Sequence, residues 1–272
     1  RFHLGLGSQV RGHMERRFSV PWSAPGARMR EYVEALKVIW DCWQNRTSLS
    51  YQGQHYSFSL MTPFFDPGPL DHATPQVYVA AVGPVMCRVA GEVADGVLLQ
   101  IGLDPKAVEL ARQHVEIGAK RAGRNPNEVE IILTATTIID ADQKEAREAA
   151  RPLCVQRLME EYHTKWLRAA GMEIGELEIP KGLYDLYPDV VHAEDWEKAK
   201  ELCSFMSDEL LADLCDNIGL IGTPAHCAEQ IKKAERAGID HLYLMTGATY
   251  EFAHRELQAF RDEIFPALGV PV

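Results

Sequence analysis

The residues best suited to chemistry lie in one stretch, Pro75 to Gln100, PQVYVAAVGPVMCRVAGEVADGVLLQ. Its centre is Ala81-Val82-Gly83-Pro84. A glycine at the carboxyl end of a strand that leads straight into a helix leaves backbone N–H groups and the positive end of the helix dipole facing one point, a natural seat for a phosphate. The same residues also describe an ordinary tight turn of any α/β protein. Other chemistries find little support. No Ser-His-Asp order, paired acids or metal-ligand spacing emerges among the residues that should end strands, which include Gly7, Ser8, Gln9, Gln100, Gly102 and Gly247. A G-x-G-x-x-G fingerprint followed by an acid is missing, and Gly5-Leu6-Gly7 does not supply one. Such a site suits hydride transfer, in which a cofactor carries the reaction and the protein supplies position and polarity.

The elements that must hold this turn follow from the pattern around it. Gln76 to Val82 reads as a strand buried on both faces of a parallel sheet. Pro84 fits the first turn of a helix, with Val85, Val89, Ala90 and Val93 as its apolar stripe and Asp95-Gly96 as its stop. Val97 to Ile101 is the next strand, so the unit is β-α-β with a right-handed parallel crossover.

Upstream, Arg1 to Gly7 is a strand ending in a glycine turn, and Ser8 to Ala27 is a polar loop long enough to be a lid or binding loop. It carries Arg11, His13, Glu15, Arg16, Arg17 and Trp22. Arg28 to Gln44 is an amphipathic helix whose stripe includes Trp40 and Trp43, and Tyr51 to Ser59 a small hairpin. In the proline-rich segment that follows, Phe64 and Phe65 are candidates to cap a substrate pocket, packing against the domain being the alternative use. Downstream come a helix from Pro105 to Ala122 with Ile117 near its apolar side, a strand from Val129 to Ile139, and polar helical sequence to about Asn217. That sequence suggests one helix around Leu153 to Met159 and another over Trp196 to Leu214, with a variable segment, Gly171 to Val191, between them. Ile218 to Gly222 reads as a short strand or its edge. Thr223 caps a helix that stops at Gly238, Ile239 to Thr246 is the last strand, and Phe252 to Leu268 the closing helix. The count is five barrel strands, beginning near residues 1, 76, 97, 129 and 239. Left open, such a sheet would expose apolar edges.

With 272 residues, one large α/β domain, 1–272, is expected, carrying a helical insertion at about 141–217. A net charge of −11 and a pI near 5.4 argue against nucleic acid or an anionic membrane as partner. Neither a membrane-spanning stretch nor a signal peptide is evident, so a cytoplasmic location is expected. Cys42, Cys87, Cys154, Cys203, Cys215 and Cys227 are scattered without a C-x-x-C pair, which suggests neither a disulfide framework nor a metal site; they read as reduced core residues.

The wording of the central stretch, VYVAAVGPxMxRxAGEVADGVL, resembles the fifth strand and helix of the luciferase-like flavin and deazaflavin oxidoreductases, in which an A-A-x-G-P turn holds the cofactor phosphate. The opening RFHLGLG resembles that family's fourth strand, GLGSQVRGHMERRFSVPW the loop after it in a deazaflavin-dependent branch, and G-T-P…A-G-I-D-H-L-Y-L its eighth unit. The resemblance implies a (β/α)8 TIM barrel of the bacterial-luciferase type, N-terminally incomplete, with the first three strand-helix units lying before Arg1. It implies coenzyme F420, or FMN as the alternative, held by Gly7, Ser8, Gln9, His13, Ala81, Val82, Gly83 and Pro84, with Arg11, Arg16 and Arg17 as partners for the deazaflavin tail carboxylates. His13 and Glu15 are the candidates for catalysis, each with a surface role as its alternative, and other catalytic residues are left open. Arg11, Trp22, Phe64, Phe65 and Gln100 are the candidate contacts for a small-molecule substrate.

Departures narrow the branch. The acid and the lysine that sugar-phosphate dehydrogenases of the family place after their fourth and sixth strands fall here at about Val10 and Leu103, which disfavours glucose 6-phosphate. Reductases of the methylenetetrahydromethanopterin reductase type are nearer. The expected activity is hydride transfer between F420 and an unidentified organic substrate. An FMN-dependent monooxygenase and a non-catalytic fragment or subunit are the alternatives. A homodimer is expected, with Trp40 or Trp43 of the first long helix in its interface.

Overall fold

The unit around Gly83 forms as its residues dictate. Gln76–Ala81 is a strand with Val77, Tyr78 and Val79 all buried, so both of its faces are covered, and Pro84–Val93 is the helix that follows. In the computed structural model, which describes residues 2–246 and 252–271, the chain divides into two units. One comprises Arg1–Leu98 with Ala111–Ile131, the other Leu99–Leu110 with Ile132–Val272. Gly247 lies outside the described residues.

In the first unit, strand β1 (His3–Leu6) pairs in parallel with the strand Gln76–Ala81, in the register His3↔Gln76 to Leu6↔Val79. Helix α1 (Pro25–Asn45) starts with proline in its first turn and packs against the helix after Gly83. A hairpin of β2 (Tyr51–Gln52) and β3 (Ser57–Phe58) is pinned by Glu31 of α1, whose carboxylate accepts from the N–H groups of Gln54, His55 and Tyr56 at 2.9, 2.7 and 3.2 Å. With Gln76–Ala81 as β4 and Pro84–Val93 as α2, the next strand is β5 (Gly96–Leu99), which neighbours β4. Helix α3 (Pro105–Arg121) then crosses α2 at two glycines: a Cβ on Gly91 would overlap the Val115 carbonyl, and one on Gly118 the Arg88 carbonyl.

In the second unit the long strand β6 (Glu130–Ile139), rich in β-branched residues, pairs in parallel with two others. Helices α4 (Gln143–Met159), α5 (Glu161–Ala169), α6 (Trp196–Cys203) and α7 (Asp208–Ile218) follow, then β7 (Gly219–Gly222), α8 (Pro224–Arg236), β8 (His241–Thr246) and α9 (His254–Ala259). Caps set several starts: Asp142 accepts from the Lys144 N–H at 2.7 Å, Ser207 from Leu210 at 3.3 Å and Thr223 from His226 at 3.3 Å. β6 aligns with β7 from Thr136↔Gly219 to Ile139↔Gly222 and with β8 from Ile132↔His241 to Thr137↔Thr246.

Several expectations need correction. Gly219–Gly222 is a true strand with all four residues buried, so strands outnumber the five expected. Gly96 is not a helix stop; it opens β5, and glycine is needed because the Tyr78 ring occupies the space a Cβ would fill. Val85 is 57% exposed and Ile117 42%, so neither belongs to the buried stripe assigned to it. The helix expected over Trp196 to Leu214 is two, α6 and α7, separated before the Ser207 cap, and the loop from Ser8 to Ala27 contains a helical turn, His13–Arg17. All six cysteines are free and buried.

Candidate functional site

In the first unit the end of β1 opens into a cavity of about 270 Å³ lined by Gly7, Ser8, Gln9 and Trp22 together with Met14, Arg28 and Tyr32. Four residues expected at the site therefore meet in one place. Gln9 is held at φ 61°, and its Oε1 lies 3.3 Å from His13 Nδ1, which ties the helical turn to the end of the strand. Arg11 and Glu15 sit on that turn's exposed side and bond each other at 3.0 Å. A one-turn pair that open to water is screened by solvent and holds neither side chain firmly. Arg17 lies over the Phe18 ring, 5.3 Å from its centroid. Phe64 and Phe65 pack edge to face on each other and are 89% and 69% exposed, so the structure does not bring them to this cavity.

The turn of β4 into α2 belongs to the same unit. Ala81 is buried, Val82 and Gly83 are half-buried, and Pro84 is exposed. Gly83 is the N-cap, with φ −99° and ψ 159°, extended backbone that any residue adopts. The helix's hydrogen-bond ladder begins with the Cys87 N–H to the Gly83 carbonyl at 3.1 Å, so the Val85 and Met86 amides precede it. No atom lies within 4 Å of the place a Gly83 Cβ would take. The open approach and the free first-turn amides fit an anionic oxygen cluster such as a cofactor phosphate. Deeper in α2, burial pushes the Cys87 thiol up to about 12, which keeps it neutral and inert beside this seat.

Gln100 belongs to the second unit and lines a different, small cavity of about 20 Å³ with Gly102, Thr134, Arg157 and His163. Glu160 breaks the chain between α4 and α5 with φ −97° and ψ 103°, and this break turns Arg157, Glu160 and His163 toward one another. His163 Nε2 lies 3.0 Å from Glu160 Oε2, Arg157 Nη1 meets His163 Nε2, and Gln156 Nε2 donates to Glu160 Oε1 at 3.1 Å. Burial lowers the pKa of His163, keeping the ring neutral, and weakens the hold of Arg157 on its charge. Burial alone would raise Glu160, but bonds from His163 and Gln156 bring it below the usual carboxylate range. The sequence reading missed this trio among polar helical residues; the recoverable signal is the Arg-x-x-Glu-x-x-His spacing astride an apolar Leu158-Met159 pair.

A larger cavity of about 1080 Å³ in the same unit lies against Ile138 and Ile139, and includes Trp196, Lys200 and Phe252. Arg151 at its wall is committed elsewhere. It donates to both Glu148 oxygens at 2.8 and 2.6 Å, to the Met206 carbonyl at 2.5 Å and to Asp208 at 2.7 Å.

These features define an α/β protein with a strand-turn-helix unit around Gly83, and residues 1–241 match the luciferase-like monooxygenase family model. The chain belongs to that family. An uncharacterised protein of Mycobacterium tuberculosis is 41% identical over 155 residues, which cover 56% of this chain and 46% of that protein, so the chain spans about half the length of such relatives or less. A 5,10-methylenetetrahydromethanopterin reductase of Archaeoglobus fulgidus is 26% identical over 265 residues, covering 97% of this chain and 73% of the reductase. Among solved structures, the coenzyme F420-dependent tetrahydromethanopterin reductase of Methanopyrus kandleri superposes with a TM-score of 0.70 at 18% identity, over 97% of this chain and 73% of that one. An F420-dependent secondary alcohol dehydrogenase does so with 0.63 at 17%, over 98% and 68%. At such identities the structural likeness speaks for the fold alone.

Proposed function

We propose that the protein is an oxidoreductase that passes a hydride between coenzyme F420 and an organic substrate. The observation that carries this reading is the turn Val82-Gly83-Pro84: a phosphate needs backbone amides without a side chain in the way, and Gly83 offers open space at the start of α2. A relative that aligns with 97% of the chain is a methylenetetrahydromethanopterin reductase, and the solved tetrahydromethanopterin reductase of similar fold is described as coenzyme F420-dependent, which supports the deazaflavin rather than the flavin. When bound, the deazaflavin would supply the hydride-accepting or hydride-donating ring. The chain's own part is to hold it. The α2 amides would take the phosphate, and the cavity bounded by Gly7, Ser8, Gln9 and Trp22 offers an apolar ring and several polar groups against a flat ligand. His13, which bonds the Gln9 side chain on that cavity's wall, is the candidate proton donor. The exposed Arg11, Arg16 and Arg17 are available to tail carboxylates.

FMN presents the same phosphate and a similar ring, and a monooxygenase of Streptomyces bottropensis shares the fold with a TM-score of 0.56 at 19% identity. Parallel absorbance titrations with F420 and FMN separate the two. Saturable binding of F420, tighter than that of FMN, is expected; binding of FMN with no affinity for F420 reverses the order.

A further inference from the structure

The cavity at the end of β1 carries a single charge. Of the residues that line it only Arg28 is ionised at neutral pH, and among the described residues its side chain has no hydrogen bond or ion pair. The sequence of α1 explains why. On a helix the usual partner of a cation is an acid three or four residues away. Those places around Arg28 hold Ala24, Pro25, Glu31 and Tyr32. Glu31, the one acid among them, is taken by the hairpin, whose Gln54, His55 and Tyr56 N–H groups all donate to its carboxylate. Glu34, the next acid of α1, accepts from the Tyr51 hydroxyl at 2.8 Å, whereas Arg30 is paired with Glu92. The guanidinium of Arg28 is thus left over on a wall that is otherwise uncharged. Arg28 is half-buried, and a concave wall that bears one sign of charge concentrates ions of the other.

The rest of the wall selects the body of the ligand. Trp22 and Tyr56 are half-buried rings, and Met14 and Met29 add soft apolar surface. The volume of about 270 Å³ falls at the lower edge of small-molecule sites, so the space suits one ring system rather than a whole cofactor with its tail. We propose that this cavity binds a flat aromatic ligand that carries one negative charge at its edge, with Arg28 as the partner of the charge and Trp22 as the stacking face. A planar anionic group such as a carboxylate matches the guanidinium fork, and such charge-assisted pairs are the strong ones. This deepens the proposed function, resting on it only for whether the charged ring belongs to the cofactor or to the substrate.

The test titrates 2-naphthoate and its neutral isostere 2-naphthamide into the protein and follows each ligand by NMR. Saturable binding of naphthoate is expected, with naphthamide weaker by about tenfold or more. Arg28→Met should bring naphthoate down to the level of naphthamide and leave naphthamide unchanged, while Trp22→Ala should weaken both. Absence of saturable naphthoate binding overturns the proposal, as does equal binding of the two ligands by the wild type. Full naphthoate affinity in a folded Arg28→Met or a folded Trp22→Ala also overturns it. If Arg28→Met does not fold, the comparison of the two ligands on the wild type decides. Competition between naphthoate and F420 assigns the charged ring to the cofactor, and simultaneous binding of both assigns it to the substrate. Naphthoate binding needs no deazaflavin, so failure of the cofactor reading leaves this result intact, and the reverse also holds.

Discussion

Gly83 and Gly91 lie in one strand-helix unit and tolerate a side chain very differently. Space around Gly83 is empty, whereas any Cβ on Gly91 would run into the backbone of α3. Gly91→Ala should therefore cost about 3 kcal/mol, the upper range for overpacking, read by urea denaturation with far-UV circular dichroism. A cost under half of that would mean that α2 and α3 separate easily. A second expectation concerns thiols. Burial pushes Cys203 up to about 11 and Cys227 to about 12. At pH 8 these sulfurs are neutral and enclosed, so a thiol reagent should label them only after unfolding. Rapid labelling of either in native protein would contradict the packing. The strand-turn-helix geometry at Gly83 was readable from order alone, strand then glycine then proline. That glycine serves space rather than a left-handed φ was not, because only the neighbouring chain segments reveal the void.

Elements were readable where the period was strong and hidden where it ran on past a break. The buried run Val77-Tyr78-Val79 and the Thr223-Pro224 helix start appear in the structure as the sequence suggests. Val85 was misassigned because the 3.6-residue stripe includes it, yet in the first turn of α2 it leans over Gly26 of α1 and faces outward. β7 was undervalued because two glycines flank only two apolar residues; β6 accepts it because Gly219 lets the strands approach where any Cβ would strike the Thr136 carbonyl. The second unit's helices depend on Arg151, which joins α4 to the start of α7 and satisfies the Met206 carbonyl. Asp208 is 76% exposed and Glu148 39%, so solvent screens the ion pairs and most of the value lies in the buried carbonyl bond. Arg151→Met should lower stability by about 2 kcal/mol. No change in the urea midpoint would show that water replaces the guanidinium.

For the whole molecule, the parallel α/β architecture and the family were accessible from the quoted motifs, while the Arg157 cluster left only its Arg-x-x-Glu-x-x-His spacing, which does not by itself announce burial. Among the described residues no helix is long and apolar enough to cross a membrane. The homodimer through α1 remains a proposal, with its contact revised. Trp43 donates its N–H to Met61 at 3.3 Å within its own chain, which leaves half-buried Trp40 and Tyr32, 42% exposed, as the side chains available to a second copy. Light scattering at micromolar concentration should give two copies, and Trp40→Glu a folded monomer; a monomeric wild type would end the idea. The central claim, that the turn at Gly83 seats the phosphate of a deazaflavin, is tested most directly by fluorescence titration of F420 into the wild type and Gly83→Val. The valine meets neither backbone strain nor a neighbour, so the variant should keep its fold and thermal midpoint. Its affinity should fall at least tenfold, about 1.4 kcal/mol. Equal affinity in a folded Gly83→Val, or no F420 binding by the wild type, would contradict it.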